Sequence, residues 1–220
     1  MIVPRFNQRQ LQQIFDACNF EKTLDEIKYN EGLFAGNYEM DFRQDFAASP
    51  FKDAPCIICR MSYDKIDMQG EKPTEAELLT HLTDKGLVNL QAFDTEQYTE
   101  LQQVHQAVTW FAQAMQAEQI GRVMVARLLP GGHILPHKDY GPYHDHYDRF
   151  HLAIGGNGCL FRCGKETVRM LPGEIWWFHN NDEHEVWNET DVPRDHIIVD
   201  LKLRGDKNAL RSGGDVPAVH

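Results

Sequence analysis

The chain has 220 residues, 42% of them hydrophobic and 25% charged, enough apolar material for the core of a globular domain. A net charge of −11, with no run of Lys and Arg to offset it, argues against nucleic acid as partner or substrate. The start, MIVPRFNQRQLQQIF, lacks the basic-then-apolar order of a signal peptide, and no stretch approaches the ~20 apolar residues of a membrane span.

In chain order, Gln8 to Phe20 spaces Leu11, Ile14, Phe15 and Cys18 as one face of a helix. Cys56-Ile-Ile-Cys59 has no second ligand pair at zinc spacing, so it reads as a buried strand. The five cysteines, an odd number, read as reduced thiols of a cytoplasmic protein. Thr74 is a candidate N-cap for a helix that includes Glu77. Thr95 to Gln119 predicts the longest helix, with Leu101, Val104, Val108, Phe111, Ala112 and Met115 on one side.

The texture changes near Gly121. Short β-rich runs follow, broken by Gly, Pro, Asn and Asp: 122–129, 149–154, 158–163, 166–170, 174–178, 185–188 and 196–201. Trp176, Trp177 and Trp187 fall within them and read as packing residues. Residues 1–120 are therefore expected to form a helical or mixed layer packed on a β sandwich or barrel of residues 121–204. Residues 205–220, polar and Gly/Pro-containing, read as a surface tail.

Histidines gather in this β-rich half. His137-Lys-Asp139 stands out, because residues two apart on a strand point the same way and can reach one ion. His184, where the run Glu185-Val-Trp begins, is the favoured third ligand over His179, which the turn residues Asn180-Asn-Asp separate from it. Two histidines and a carboxylate make the facial triad of non-haem iron oxygenases and leave three coordination positions open. Arg194, ahead of Ile197-Ile-Val, adds a planar guanidinium able to take a carboxylate with two parallel hydrogen bonds. His133 reads as a packing or turn residue, and His144 and His146 as part of a loop that could cover a pocket.

The segments RLLPGGHILPHKDYG, DRFHLAI and GEIWWFHNNDEHEVWNETDVPRDHIIVDL resemble, in order, the aspartyl/asparaginyl β-hydroxylase family of 2-oxoglutarate oxygenases. The resemblance implies a double-stranded β-helix, or jelly roll, that binds Fe(II), 2-oxoglutarate and O2. It places His137 and His184 as iron ligands and Arg194 as the 2-oxoglutarate arginine. Arg149 and His151 match a pocket-lining segment that contacts co-substrate or substrate carboxylate. Founding members carry Gly where this chain has Asp139, so the full His-x-Asp…His set looks more like that of bacterial proline hydroxylases. The expected substrate is an amino acid, a peptide side chain or another small carboxylate. Two alternatives use the same ligands: a zinc or manganese hydrolase or isomerase, which needs no Arg194, and a non-catalytic sensor of 2-oxoglutarate or metal.

Overall fold

A computed structural model describes residues 2–4, 20–31, 33, 54–61, 92–139 and 141–204. The expected helices at 8–20 and from Thr74 lie, apart from Phe20, outside the described residues, as does the tail 205–220. Helix α1 spans Phe20–Tyr29. The expected helix 95–119 is instead two, α2 (Glu96–Glu100) and α3 (Gln102–Ala114). They part at Leu101, whose φ of −105° and ψ of 68° are not helical. Gln116, at φ 52°, then turns the chain out of α3.

Strand β1 is Ile2–Pro4, β2 is Cys56–Met61 and β3 is Phe93–Asp94. Strand β4 runs Ala117–Leu128, starting earlier than its apolar run, because Ala117 to Ile120 pair with Leu203 to Leu201 of the last strand. Then come β5 (His133–His137), the short helix α4 (Pro142–His146), β6 (Asp148–Ala153) and β7 (Cys159–Cys163). Strands β8 (Glu166–Met170), β9 (Ile175–Phe178), β10 (His184–Trp187) and β11 (Arg194–Leu203) complete the order.

Two antiparallel sheets result, ordered β1-β9-β6-β11-β4-β2-β3 and β5-β10-β7-β8. From β4 to β11 the chain passes between the sheets so that β4, β6, β9 and β11 lie in one and β5, β7, β8 and β10 in the other. That is the jelly-roll arrangement of a double-stranded β-helix, as the resemblance implied. Strands β1 to β3 extend the large sheet, so the N-terminal part supplies strands as well as helices. No helix among the described residues is long and apolar enough to cross a membrane.

Alternation along each strand divides the interior in two. On one face of the large sheet, Val123, Val125, Phe150, Leu152, Ile197, Val199 and Leu201 pack with Val104, Val108 and Phe111 of α3, all essentially without exposure. Cys59 joins this cluster, in keeping with the buried-strand reading. The other face meets the small sheet through Leu128, Ile134, Phe161, Trp176, Phe178 and Val186. The same strands carry polar residues among that second set, and these form the site.

Candidate metal and co-substrate site

Strand β5 lies at the edge of the small sheet, where Pro136 removes no needed ladder donor. It pairs with β10 so that His137 stands directly opposite His184. Their ring centroids are 4.2 Å apart. Asp139, two residues beyond His137, is held by its backbone N–H donating to the Asn180 carbonyl at 3.0 Å. The candidate ligand atoms of His137, Asp139 and His184 all lie within 4.8 Å of one another, near enough to hold one ion.

The ring nitrogens are already sorted. Nδ1 of His137 donates to the Leu135 carbonyl at 2.8 Å, and Nδ1 of His184 donates to the Asp182 carbonyl at 2.9 Å. A carbonyl only accepts, so Nδ1 carries a proton in both rings, and in the neutral form of each ring Nε2 is the nitrogen that can bind a metal. Burial holds the His184 pKa down to about 4, so its ring is neutral at pH 7.

Arg149 on β6 closes one side. Its Nη1 donates to Asp139 Oδ2 at 2.7 Å, while Nε and Nη2 grip Asp200 of β11 at 2.8 and 2.9 Å. Burial opposes the charges of Asp139 and Arg149. Arg149, aided by nearby histidines, nonetheless holds the Asp139 carboxyl well below the usual range, and Asp200 and Asp139 raise the Arg149 pKa. The Tyr143 hydroxyl of α4 donates to Asp200 Oδ2 at 3.0 Å and accepts from the Arg122 backbone N–H at 2.6 Å.

Arg194 is in the opposite electrostatic position. It is 1% exposed, and its Nε and Nη1 have no hydrogen-bond partner among the described residues. Its neighbour Asp195 points to the other face of β11 and is taken by Arg127, directly across on β4, through bonds of 2.8 and 3.0 Å. Burial lowers the Arg194 pKa to about 10, still charged at pH 7. Gly156, at φ 105°, lets the loop pass where a Cβ would meet the Arg194 Cα at 3.1 Å.

His151 of β6 packs on Phe161 and Phe178, with its Nδ1 3.4 Å from the Nδ1 of His196. Both rings are buried, and burial together with Arg194 drives both pKa values well below the ordinary histidine value. They are neutral donor–acceptor groups rather than cations. The rival histidines stand elsewhere. His179 approaches Asp182 at 3.4 Å, and His133 stacks on Trp187 and meets Glu185 at 3.0 Å. His144 of α4 meets Asn180 at 3.3 Å, and Asp145 meets Asn181 at 3.3 Å.

The structure thus groups four of the six residues singled out in the sequence, His137, Asp139, His184 and Arg149, and sets His151 where it feels both Arg194 and His184. It adds His196, Asp200 and Tyr143, which sequence reasoning passed over. The first two were reachable, since Arg194, His196 and Asp200 are separated by even steps on one strand.

A jelly roll with two histidines and a carboxylate clustered at its small sheet, and an unpartnered buried arginine on the large one, defines a double-stranded β-helix protein with a candidate metal site. The chain belongs to the aspartyl/asparaginyl beta-hydroxylase family, whose model matches residues 73–203. It is 35% identical over 83 residues to the aspartyl/asparaginyl beta-hydroxylases of Homo sapiens and Mus musculus, which is 37% of this chain. The match spans 11% of each of those longer proteins. Among solved structures, a double-stranded beta-helix protein from Klebsiella pneumoniae covers 39% of this chain and 70% of its own at 20% identity, with a TM-score of 0.31. A protein from Thermotoga maritima described as a predicted oxalate decarboxylase covers 42% and 74% at 17% identity, with a TM-score of 0.33.

Proposed function

We propose that this protein is an Fe(II)- and 2-oxoglutarate-dependent dioxygenase that hydroxylates an amino acid, a peptide side chain or a related small carboxylate. The observation that carries the reading is the buried Arg194 guanidinium, with two nitrogens unsatisfied, in the same interior as the His137–Asp139–His184 cluster. An unpaired buried charge is costly and calls for an anionic partner. A zinc or manganese hydrolase on the same ligands has no use for it.

The donor set fits the metal: two imidazoles whose Nδ1–H groups are taken by backbone carbonyls, and one ionised carboxylate. When bound, Fe(II) with 2-oxoglutarate supplies the oxygen chemistry that side chains lack. The chain's own work is to place and shield. His137, Asp139 and His184 would hold the ion. Arg194 fixes the far carboxylate of the co-substrate with paired hydrogen bonds. His151, neutral and beside that path, offers a hydrogen bond without adding charge. Arg149 has five N–H donors and uses three here, so its outer edge still has donors for a substrate carboxylate. Helix α4, tied to Asp200, Asn181 and Asn180 through Tyr143, Asp145 and His144, suits a substrate-contacting lid.

The test is the visible spectrum of metal-free protein given Fe(II) and then 2-oxoglutarate without oxygen. A weak charge-transfer band that needs both additions, and disappears in His184→Ala, is expected. Absence of the band together with tight zinc or manganese binding overturns the reading. Arg194→Ala should raise the 2-oxoglutarate concentration needed for half the band by at least ~10-fold, the worth of a charged hydrogen bond. An unchanged requirement removes Arg194 from the assignment.

A further inference from the structure

We infer that Asp200 and Tyr143 are positioning residues for the metal centre, acting through Arg149 to hold the Asp139 carboxylate in a one-oxygen mode of binding. The inference rests on the metal site proposed above, and goes beyond it by assigning two residues outside the ligand set.

Asp139 has no strand ladder to fix it, since β5 ends at His137. Its two oxygens are equivalent until something claims one. Arg149 claims Oδ2 at 2.7 Å, which leaves Oδ1 for an ion beside the two histidines. A carboxylate free to swing would offer both oxygens and occupy two coordination positions. One held at Oδ2 occupies one and keeps three positions open for incoming ligands.

Arg149 can act this way only if it is itself immobile. Asp200 grips it by Nε and Nη2 in a two-bond fork, with the Asp200 side chain 2% exposed. Asp200 in turn accepts the Tyr143 hydroxyl on Oδ2. That hydroxyl is pinned by the Arg122 backbone N–H, and the Tyr143 ring lies under the Arg122 guanidinium with 3.9 Å from carbon to centroid. Gly121 makes room, for a Cβ there would fall 2.6 Å from the same hydroxyl. The result is one line of contacts, Tyr143 to Asp200 to Arg149 to Asp139, running from the short helix to the candidate ligand. Its three charges sum to −1, a balance that a cation improves.

The test uses the full chain and Co(II) as a spectroscopic substitute that needs neither oxygen nor substrate. Wild type should bind Co(II) and show d–d bands that His184→Ala abolishes. D200N keeps the shape of the side chain but removes the charge and puts a donor against Arg149. It should weaken Co(II) binding about 10- to 100-fold, the usual cost of losing a ligand's supporting partner, and change the band pattern as Asp139 becomes two-oxygen. Y143F, a milder change, should move both readouts the same way by less. Far-UV circular dichroism and the urea midpoint separate these effects from loss of fold, and Y143F carries the test if D200N does not fold. If wild type binds no Co(II), the metal centre itself is refuted. If wild type binds and the folded variants match it in affinity and spectrum, the positioning role alone is overturned.

Discussion

Arg194 and Arg127 both lie at the start of the β11–β4 ladder, both are buried, and only one is satisfied. The difference comes from strand alternation, which sends Asp195 to Arg127 and away from its own neighbour. A protein keeps an orphaned guanidinium at a cost to its stability, so removing it should have two opposite effects. Arg194→Met is expected to raise the unfolding free energy of the ligand-free protein by about 1–3 kcal/mol, the penalty of an unpaired buried polar group. It should also abolish the stabilisation that wild type gains from 2-oxoglutarate with Fe(II) under nitrogen. Urea unfolding with and without the additions reads both. A variant that is less stable than wild type and still gains from 2-oxoglutarate would contradict the account. At this scale the sequence was informative because chemistry is local: a His-x-Asp, a second His and an Arg can be seen in a string of letters. What it hid was partnership. Nothing in the letters shows that Arg149 is shared by Asp139 and Asp200, ten and fifty-one positions away. Nor do they show that Leu135 and Asp182 offer the carbonyls that set the imidazole tautomers.

Among the elements, the runs after Gly121 were legible as strands because branched and aromatic residues recur between turn residues. β5 was read only as a strand end carrying His137 and Asp139, since Pro130-Gly-Gly and Pro136 read as punctuation, and it stops at His137, which leaves Asp139 beyond it. An edge position makes Pro136 tolerable, and edge status is a property of the assembled sheet. The helix 95–119 was overextended for a related reason: apolar spacing continues past Ala114, while the φ of Gln116 and the pull of β11 decide the ending. Helix α3 anchors the layer that backs the site. Phe111 is fully buried and meets Phe150 edge-on at 5.3 Å, one residue before His151 on β6. Phe111→Ala should therefore cost about 3–5 kcal/mol of stability, measured as a lower urea midpoint. Loss of less than 1 kcal/mol would mean that α3 is not the clamp described.

For the molecule as a whole, burying neutral histidines makes it sensitive to acid. His151 and His196 have pKa values well below normal, and burial lowers that of His144 to about 4. In the unfolded chain all three take up protons below about pH 6.5. Between about 6.5 and 4 the unfolded state binds more protons than the folded one, so stability must fall as pH falls through that window. Asp139 acts in the other sense. Its lowered pKa adds stability above the unfolded carboxylate value of about 3.9, and that contribution is lost only on further acidification. The urea midpoint of the metal-free protein should drop clearly from pH 7.5 to pH 5. A flat or rising midpoint would show that these rings do not sit neutral in the interior.

Strand β11 has one more consequence. Its odd face is lipid-like, with Ile197, Val199 and Leu201 set against the helices, while its even face holds Arg194, His196 and Asp200 toward the other sheet. Deleting a single residue between His196 and Asp200 would reverse the facing of the strand on one side of the cut only, so that Arg194 and His196 could no longer share a face with Asp200. Point substitutions along it can be graded, but a frame of one residue is all or nothing. Natural length variation in such a chain belongs in its connecting loops, and a library that varies loop lengths while keeping β11 at ten residues is the one that would retain the arrangement of Arg194, His196 and Asp200.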